Sequence, residues 1–212
     1  MLNETESLLS RPVIYDGHSF SEQLQQAMDC FYNSFLKKEA RPLYNNKKIF
    51  FDMKKEHKAF TFSYPERFLH IVSIDDDDKY DLFPCSNDIS YENCTNFCEP
   101  PSSLFMFSAL DRWECQYRLS RIHWIKEVIE LANNGNRDIS EWEEREYSSK
   151  GHYNKRLIRY NCGMDDYLIV LKDRGKDYLF ITAYPLLLKR AKARCDKNYR
   201  AFLSKNKKAG NP

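Results

Sequence analysis

Glycine is scarce in this chain, with six among 212 residues. Neither the G-x-G-x-x-G motif nor the G-x-x-x-x-G-K-[ST] motif occurs, so a Rossmann-type or P-loop nucleotide site has no support. No run approaches the roughly 18 apolar residues that a membrane-spanning helix requires. The start of the sequence also lacks the basic segment and the long apolar block of a secretory signal. These absences favour a cytoplasmic protein that contacts no membrane.

The seven cysteines are an odd number and are scattered along the chain, so we interpret them as reduced thiols. Cys85, Cys94 and Cys98 follow one another with C-x8-C-x3-C spacing in an acidic segment. Zinc sites usually have tighter paired spacing and four ligands. We therefore predict no metal and no cofactor, and a zinc-held interaction domain remains an alternative.

Charge is unevenly distributed although the net charge is only +2. Residues 75–101 are acidic, whereas residues 189–208 contain nine Lys or Arg against one Asp. A basic face of this kind can hold phosphates. A solvated C-terminal helix is the alternative interpretation.

Apolar periodicity predicts three helices, over residues 19–38, 108–133 and 186–205. Ser19 with Glu22 and Ser108 with Asp111 have capping-box spacing at the first two starts. Aromatic and β-branched runs predict strands, which are residues 47–53, 58–64, 67–74, 155–162, 166–173 and 177–186.

The last three predicted strands form an antiparallel meander, since only "RGK" separates the final two. The predicted fold class is α+β, with one mostly antiparallel sheet of about four to six strands packed by helices. A helical extension over residues 1–40 precedes one domain over residues 41–212, and the irregular acidic loop is residues 75–103. The basic helix ends the domain.

Four segments in order carry a resemblance to known proteins. They are "RFLHIVSI" (67–74), "RLSRIHWIKEVIE" (118–130), "KRLIRY" (155–160) and "DYLIVLKDRGKDYLFITAYPL" (166–186). The set resembles the barnase/EndoU/colicin/RelE-like nuclease superfamily of bacterial and phage toxins. The resemblance implies a metal-independent ribonuclease fold, RNA as the substrate, and an antitoxin or immunity protein as a neutralising partner.

Metal-free RNA cleavage requires a base for the 2′-hydroxyl, cations for the phosphate and an acid for the leaving oxygen. Histidine suits proton transfer because its pKa lies near neutrality. On a strand, His70 shares its face with Phe68 and Val72, which is typical of a core position. The resemblance instead favours His70 at the floor of a concave sheet face, as base or acid.

The candidate phosphate holders are Arg121, Lys155 and Arg159. Arg118 and Arg121 are neighbours on one helical face, where an anion or a glutamate would relieve their repulsion. Lys155 and Arg159 share a strand face and could reach one phosphate together, and a solvated strand edge is the alternative.

Thr182 and Tyr184 share a face of the last predicted strand with Phe180 and offer two hydroxyls to a ligand; ordinary β propensity is the alternative explanation. His152 is a second candidate proton carrier, whereas His123 beside Trp124 is more typical of packing. The leading hypothesis is a metal-independent ribonuclease that cleaves RNA by 2′-hydroxyl attack and leaves a 2′,3′-cyclic phosphate. A non-catalytic module that binds RNA or protein is the alternative.

Overall fold

The computed structural model describes residues 6–17, 19–59, 62–75, 104–107, 110–149 and 151–209. The helices of these ranges are α1 (Phe20–Phe31), which continues as a π-helical turn (Tyr32–Leu36), α2 (Glu66–Val72), α3 (Gln116–Leu119), α4 (Trp124–Asn133) and α5 (Lys189–Ala209). Most of the predicted acidic loop, with Cys85, Cys94 and Cys98, lies outside the described residues, as does Ser108.

Eleven strands are described. They are β1 (Leu43–Tyr44), β2 (Lys47–Phe50), β3 (Glu56–Ala59), β4 (Phe62–Pro65), β5 (Ser73–Asp75), β6 (Leu104–Phe107), β7 (Leu110–Glu114), β8 (Ile139–Ser148), β9 (Gly151–Cys162), β10 (Asp165–Asp173) and β11 (Tyr178–Pro185).

Six of these strands form the main sheet, in the order β1-β2-β11-β10-β9-β8. All neighbours are antiparallel except β2 and β11, which run parallel. Strands β3 and β4 form a separate hairpin, and β5, β7 and β6 form a small sheet. The predicted α+β class, with a mostly antiparallel sheet packed by helices, is confirmed.

Helices cover both faces of the main sheet, because its central strands are apolar on both sides. Ile158 and Ile169 belong to the larger core, which also contains buried side chains of α1, α2 and α4. Leu157 and Leu168 alternate with them and pack on the other side beneath α5. The N-terminal and basic C-terminal helices therefore lie on opposite faces, and α1 shares its core with the sheet.

The prediction of a strand over residues 67–74 is wrong, because residues 66–72 form α2 and only Ser73–Asp75 are extended. Four of the seven helical residues are buried, so no single apolar stripe marks the helix. Pro65 and Glu66 at its start are the local signal for a helix. His70 consequently lies in the last turn of a helix and not on a sheet face.

Two further predictions differ from the structure. Residues 110–114 are a strand, so the helix expected from residue 108 is reduced to α3 and α4. The charged segment after residue 139 is the strand β8. Glutamate disfavours strands, but Glu143 and Glu146 form ion pairs with Arg156 and Lys155 of β9.

No helix in the described ranges is long and apolar enough to cross a membrane. No disulfide joins the described cysteines, which are Cys30, Cys115, Cys162 and Cys195.

Candidate active site

A bulge in β11 sets the direction of two predicted site residues. Val170 of β10 lies opposite Thr182, and the next residue, Leu171, lies opposite Phe180, so Ile181 is an extra residue. Such a bulge reverses the alternation of side chains along a strand. Phe180 therefore remains in the larger core, and the prediction that it shares a face with Thr182 is wrong.

Arg67 attaches helix α2 to this bulge. Its Nη1 donates a hydrogen bond of 2.8 Å to the carbonyl of Ile181. A bulge leaves a main-chain group outside the strand ladder, and this bond satisfies it. His70 lies three residues further along α2, on the same side as Arg67. The arrangement brings His70 beside Thr182.

A cavity of about 590 Å³ lies where α2, β7, α3, β11 and the start of α5 meet. Its described lining residues are His70, Arg112, Arg118, Thr182, Tyr184, Pro185, Leu186, Leu187, Leu188, Arg190, Ala191 and Arg194. Four guanidinium groups and an imidazole therefore surround one space with two hydroxyls. No Asp or Glu is among these described lining residues.

Two of the four arginines are held rigidly in the protein interior. Arg112 is 4 % exposed and donates through Nε to the Ser73 hydroxyl at 2.7 Å. Arg118 is 9 % exposed, and its guanidinium carbon lies 5.4 Å from the centre of the Tyr184 ring. Its Nε is buried without a hydrogen-bond partner among the described residues. This buried Nε of Arg118 is a donor that an anionic ligand could satisfy.

The other two arginines come from the first turns of α5. Arg190 and Arg194 are one helical turn apart, so they lie on one face of the helix, and both are exposed. The Leu188 carbonyl accepts the first helical hydrogen bonds, from Ala191 and Lys192. The positive end of the helix dipole therefore lies at the cavity and adds to the field of the arginines.

Arg121 does not line the cavity. Its guanidinium carbon lies 3.4 Å from the centre of the Tyr117 ring, and Nη1 donates to the Tyr117 carbonyl and the Ser120 hydroxyl. The helix expected around it ends at Leu119, so three-residue spacing does not place Arg118 and Arg121 on one face. Arg118 is the member of the pair that lines the cavity.

Arg159 is a buried structural cation. It makes two hydrogen bonds of 2.7 Å to Asp166 and one of 2.6 Å to Asp196 of α5. Burial lowers the pKa of Arg159, but the hydrogen bonds and charges of Asp166 and Asp196 outweigh this effect and raise it. Lys155 forms a 2.6 Å ion pair with Glu146 of the adjacent strand. Neither cation is among the cavity residues.

The other described histidines lie elsewhere. His152 is exposed on the β8–β9 hairpin, with its ring 6.2 Å from that of Tyr147. His123 packs 6.3 Å from the Trp124 ring, and burial lowers its pKa. His57 contacts Glu66 at 2.8 Å. Among the described residues that line the cavity, His70 is thus the one histidine.

Three arginines of the cavity were not among the site residues that the sequence predicts. Arg190 and Arg194 belong to the basic run that it identified as a phosphate-binding face. Arg112 gave no signal, because its segment was interpreted as a helix and its burial depends on the pairing of β7 with β5.

No protein-family model, curated protein sequence or solved structure matches the chain. The described residues contain no cluster of three or more His, Cys, Asp or Glu side chains that could hold a metal ion.

Proposed function

We propose that the protein is a metal-independent ribonuclease of the toxin type, which cleaves RNA by attack of the 2′-hydroxyl. The observation that carries the proposal is the cavity in which His70, two hydroxyl side chains and four arginines converge. A cytoplasmic location and a neutralising antitoxin or immunity partner belong to the same proposal.

The roles follow from the chemistry of each group. Arg112 and Arg118 bind the phosphate and offset the charge that develops on it in the transition state. His70 takes the proton of the 2′-hydroxyl as that oxygen bonds to phosphorus. The bond from phosphorus to the 5′-oxygen breaks, and Tyr184 supplies the proton to the leaving oxygen. Thr182 orients a phosphate oxygen, and the products are a 2′,3′-cyclic phosphate and a 5′-hydroxyl.

A binding module without catalysis is the second candidate. It is favoured by the presence of a single histidine among the described cavity residues, because an efficient acid–base pair then depends on Tyr184. Such a module would use the same arginines to hold RNA and would leave it intact.

The deciding experiment incubates the purified protein with end-labelled RNA in EDTA. The ribonuclease proposal predicts shortened RNA that ends in a 2′,3′-cyclic phosphate, and no cleavage of an oligonucleotide with 2′-deoxyribose throughout. His70→Ala should reduce the cleavage rate at least 100-fold, in the range for loss of a general acid or base. His152→Ala is the matched control, because this exposed histidine lies outside the cavity.

The two candidates give different outcomes. Binding of RNA that requires Arg118, with no cleavage of any RNA, supports the binding module. Equal losses in His70→Ala and His152→Ala would contradict the assigned role of His70, provided that circular dichroism shows both variants folded. Neither binding nor cleavage would end both proposals.

A further inference from the structure

We infer that the outer face of α5 binds the phosphate backbone of single-stranded RNA as the strand leaves the cavity. The inference rests on the proposed function in one respect, that the ligand of the cavity is RNA. It adds a second binding surface and assigns it to residues beyond the cavity.

Charge on α5 is nearly all of one sign. The helix contains nine Lys or Arg, and its one acidic residue is Asp196. The Asp196 carboxylate accepts a 2.6 Å hydrogen bond from Arg159 in the sheet below. The negative charge is therefore neutralised on the inner side of the helix, and the positive charges dominate the outer side.

The direction of the helix connects this charge to the cavity. Cys195, Tyr199 and Phe202 pack toward the sheet. Arg190, Arg194 and Lys197 follow one another at i, i+4 and i+7, so they form a row along an outer flank of the helix, away from these packed side chains. The first two line the cavity. The row is continued by Lys205, roughly 22 Å from Arg190 at a rise of about 1.5 Å per residue.

The continuity of the row with the cavity identifies a polyanion as its partner. A solvated helix needs no particular alignment of its cations, whereas a bound strand has a phosphate at every nucleotide. Binding of such a strand releases condensed counterions, and the logarithm of the affinity falls by about 0.7 per neutralised phosphate for each tenfold rise in salt. The number of cations in contact is therefore measurable.

The test uses a fluorescent 12-nucleotide RNA with 2′-O-methyl groups, which binds but has no nucleophile. Its affinity is measured by anisotropy at several salt concentrations. The helix variant combines Lys197→Gln and Lys205→Gln of the row with Arg200→Gln, one turn beyond Lys197 on the outer face. All three residues are exposed and lie outside the cavity. The matched control loses the same charge at exposed sites off the helix, through Lys37→Gln, Lys38→Gln and Lys48→Gln.

For the helix variant, we expect the plot of log affinity against log salt concentration to become less steep by about 2. Its affinity at 0.1 M salt should drop roughly 10- to 100-fold. The control should bind like the wild type. A 2′-O-methyl dinucleotide, which fills only the cavity, should bind equally to all three proteins.

Equal weakening in the control would assign the effect to net charge and overturn the inference. An unchanged slope in the helix variant would also overturn it. Cleavage of RNA together with wild-type binding by the helix variant would reject this surface and leave the ribonuclease proposal intact. A weaker salt dependence of RNA affinity in the helix variant alone, without cleavage of any RNA, would support this binding surface and reject the ribonuclease proposal.

Discussion

Arg112 and Arg118 donate hydrogen bonds to the same acceptor, the main-chain carbonyl of Ser73, at 3.1 and 2.7 Å. The two guanidinium groups come from different elements, β7 and α3, and both are buried. The shared acceptor holds the two guanidinium groups close together at the cavity wall. The fold therefore fixes positive charge in the cavity before a ligand arrives, as preorganised phosphate binding requires.

Arg118→Met is expected to remove anion binding without loss of stability. Replacing a buried charge by an apolar side chain of similar volume is often neutral or stabilising, and Arg112 still bonds to Ser73. At ten times the dissociation constant, sulfate should stabilise the wild type by about 1.4 kcal/mol and raise its Tm by roughly 3–5 °C. Thermal unfolding with and without sulfate should show this rise in the wild type and none in the variant.

Arg137→Met is the control for that measurement, because the side chain of Arg137 is 78 % exposed in the turn between α4 and β8 and lies outside the cavity. It should retain the full sulfate effect. A sulfate effect that survives in Arg118→Met would contradict the assignment of Arg118 to the anion site.

Tyr184→Phe tests the proton donor. The ring, and with it the contact to Arg118, is retained, so RNA affinity should change less than threefold. The cleavage rate should fall by about 100-fold, because a general acid contributes at least this factor. Single-turnover kinetics with an excess of enzyme separate the two quantities. A loss confined to affinity would assign the hydroxyl to binding alone.

Asp166→Asn should destabilise the fold more than Asp196→Asn, although both residues bond to Arg159. The side chain of Asp166 is 4 % exposed, and its loss leaves a buried guanidinium without its main partner, at a cost of about 3 kcal/mol. The side chain of Asp196 is 47 % exposed, so its loss should cost less than about 1 kcal/mol. Urea unfolding measures both. Similar costs would contradict the structural role given to the buried pair.

Alkaline pH should destabilise the protein through buried tyrosines such as Tyr64. Burial, helped by the charge of Asp29, raises the pKa of Tyr64 from 10.0 to about 12. Deprotonation is then easier in the unfolded chain than in the folded one. The contribution of Tyr64 to the free energy of unfolding is therefore complete below pH 10 and is lost as the pH rises to about 12. Tyr64→Phe should reduce the stability lost between pH 8 and 11 by on the order of 1 kcal/mol, as measured by urea unfolding. Tyr147→Phe, which changes an exposed ring, should lose as much stability over this pH range as the wild type.

The elements that sequence reasoning identified best are the longer ones, whose apolar residues recur within the segment itself. Helix α1 and strands β10 and β11 have long apolar patterns, and local periodicity is enough to predict them. Helix α2 is seven residues long and packs on several sides, so its pattern resembled a buried strand. Strand β8 is rich in glutamate, and the cations that pair with two of these glutamates lie on β9, outside the segment itself.

The candidate site also combines residues with a local sequence signal and residues whose position depends on distant parts of the chain. His70, Thr182 and Tyr184 were selected from the sequence, and they line the cavity. Arg121, Lys155 and Arg159 were selected by the same criteria, but each interacts with neighbours elsewhere in the fold. Which cation faces a cavity depends on where helices end and which strands pair. The bulge at Ile181 and the pairing of β7 with β5 have no marker in the local sequence.

The walls of the cavity come from distant parts of the chain, and Arg190 and Arg194 complete it near the end of the described residues. A nascent polypeptide on the ribosome therefore contains His70, Arg112 and Arg118 long before it can form the full site. The complete cavity can therefore form only after helix α5 emerges from the exit tunnel and docks, and products of premature termination ahead of α5 would lack two of its four arginines.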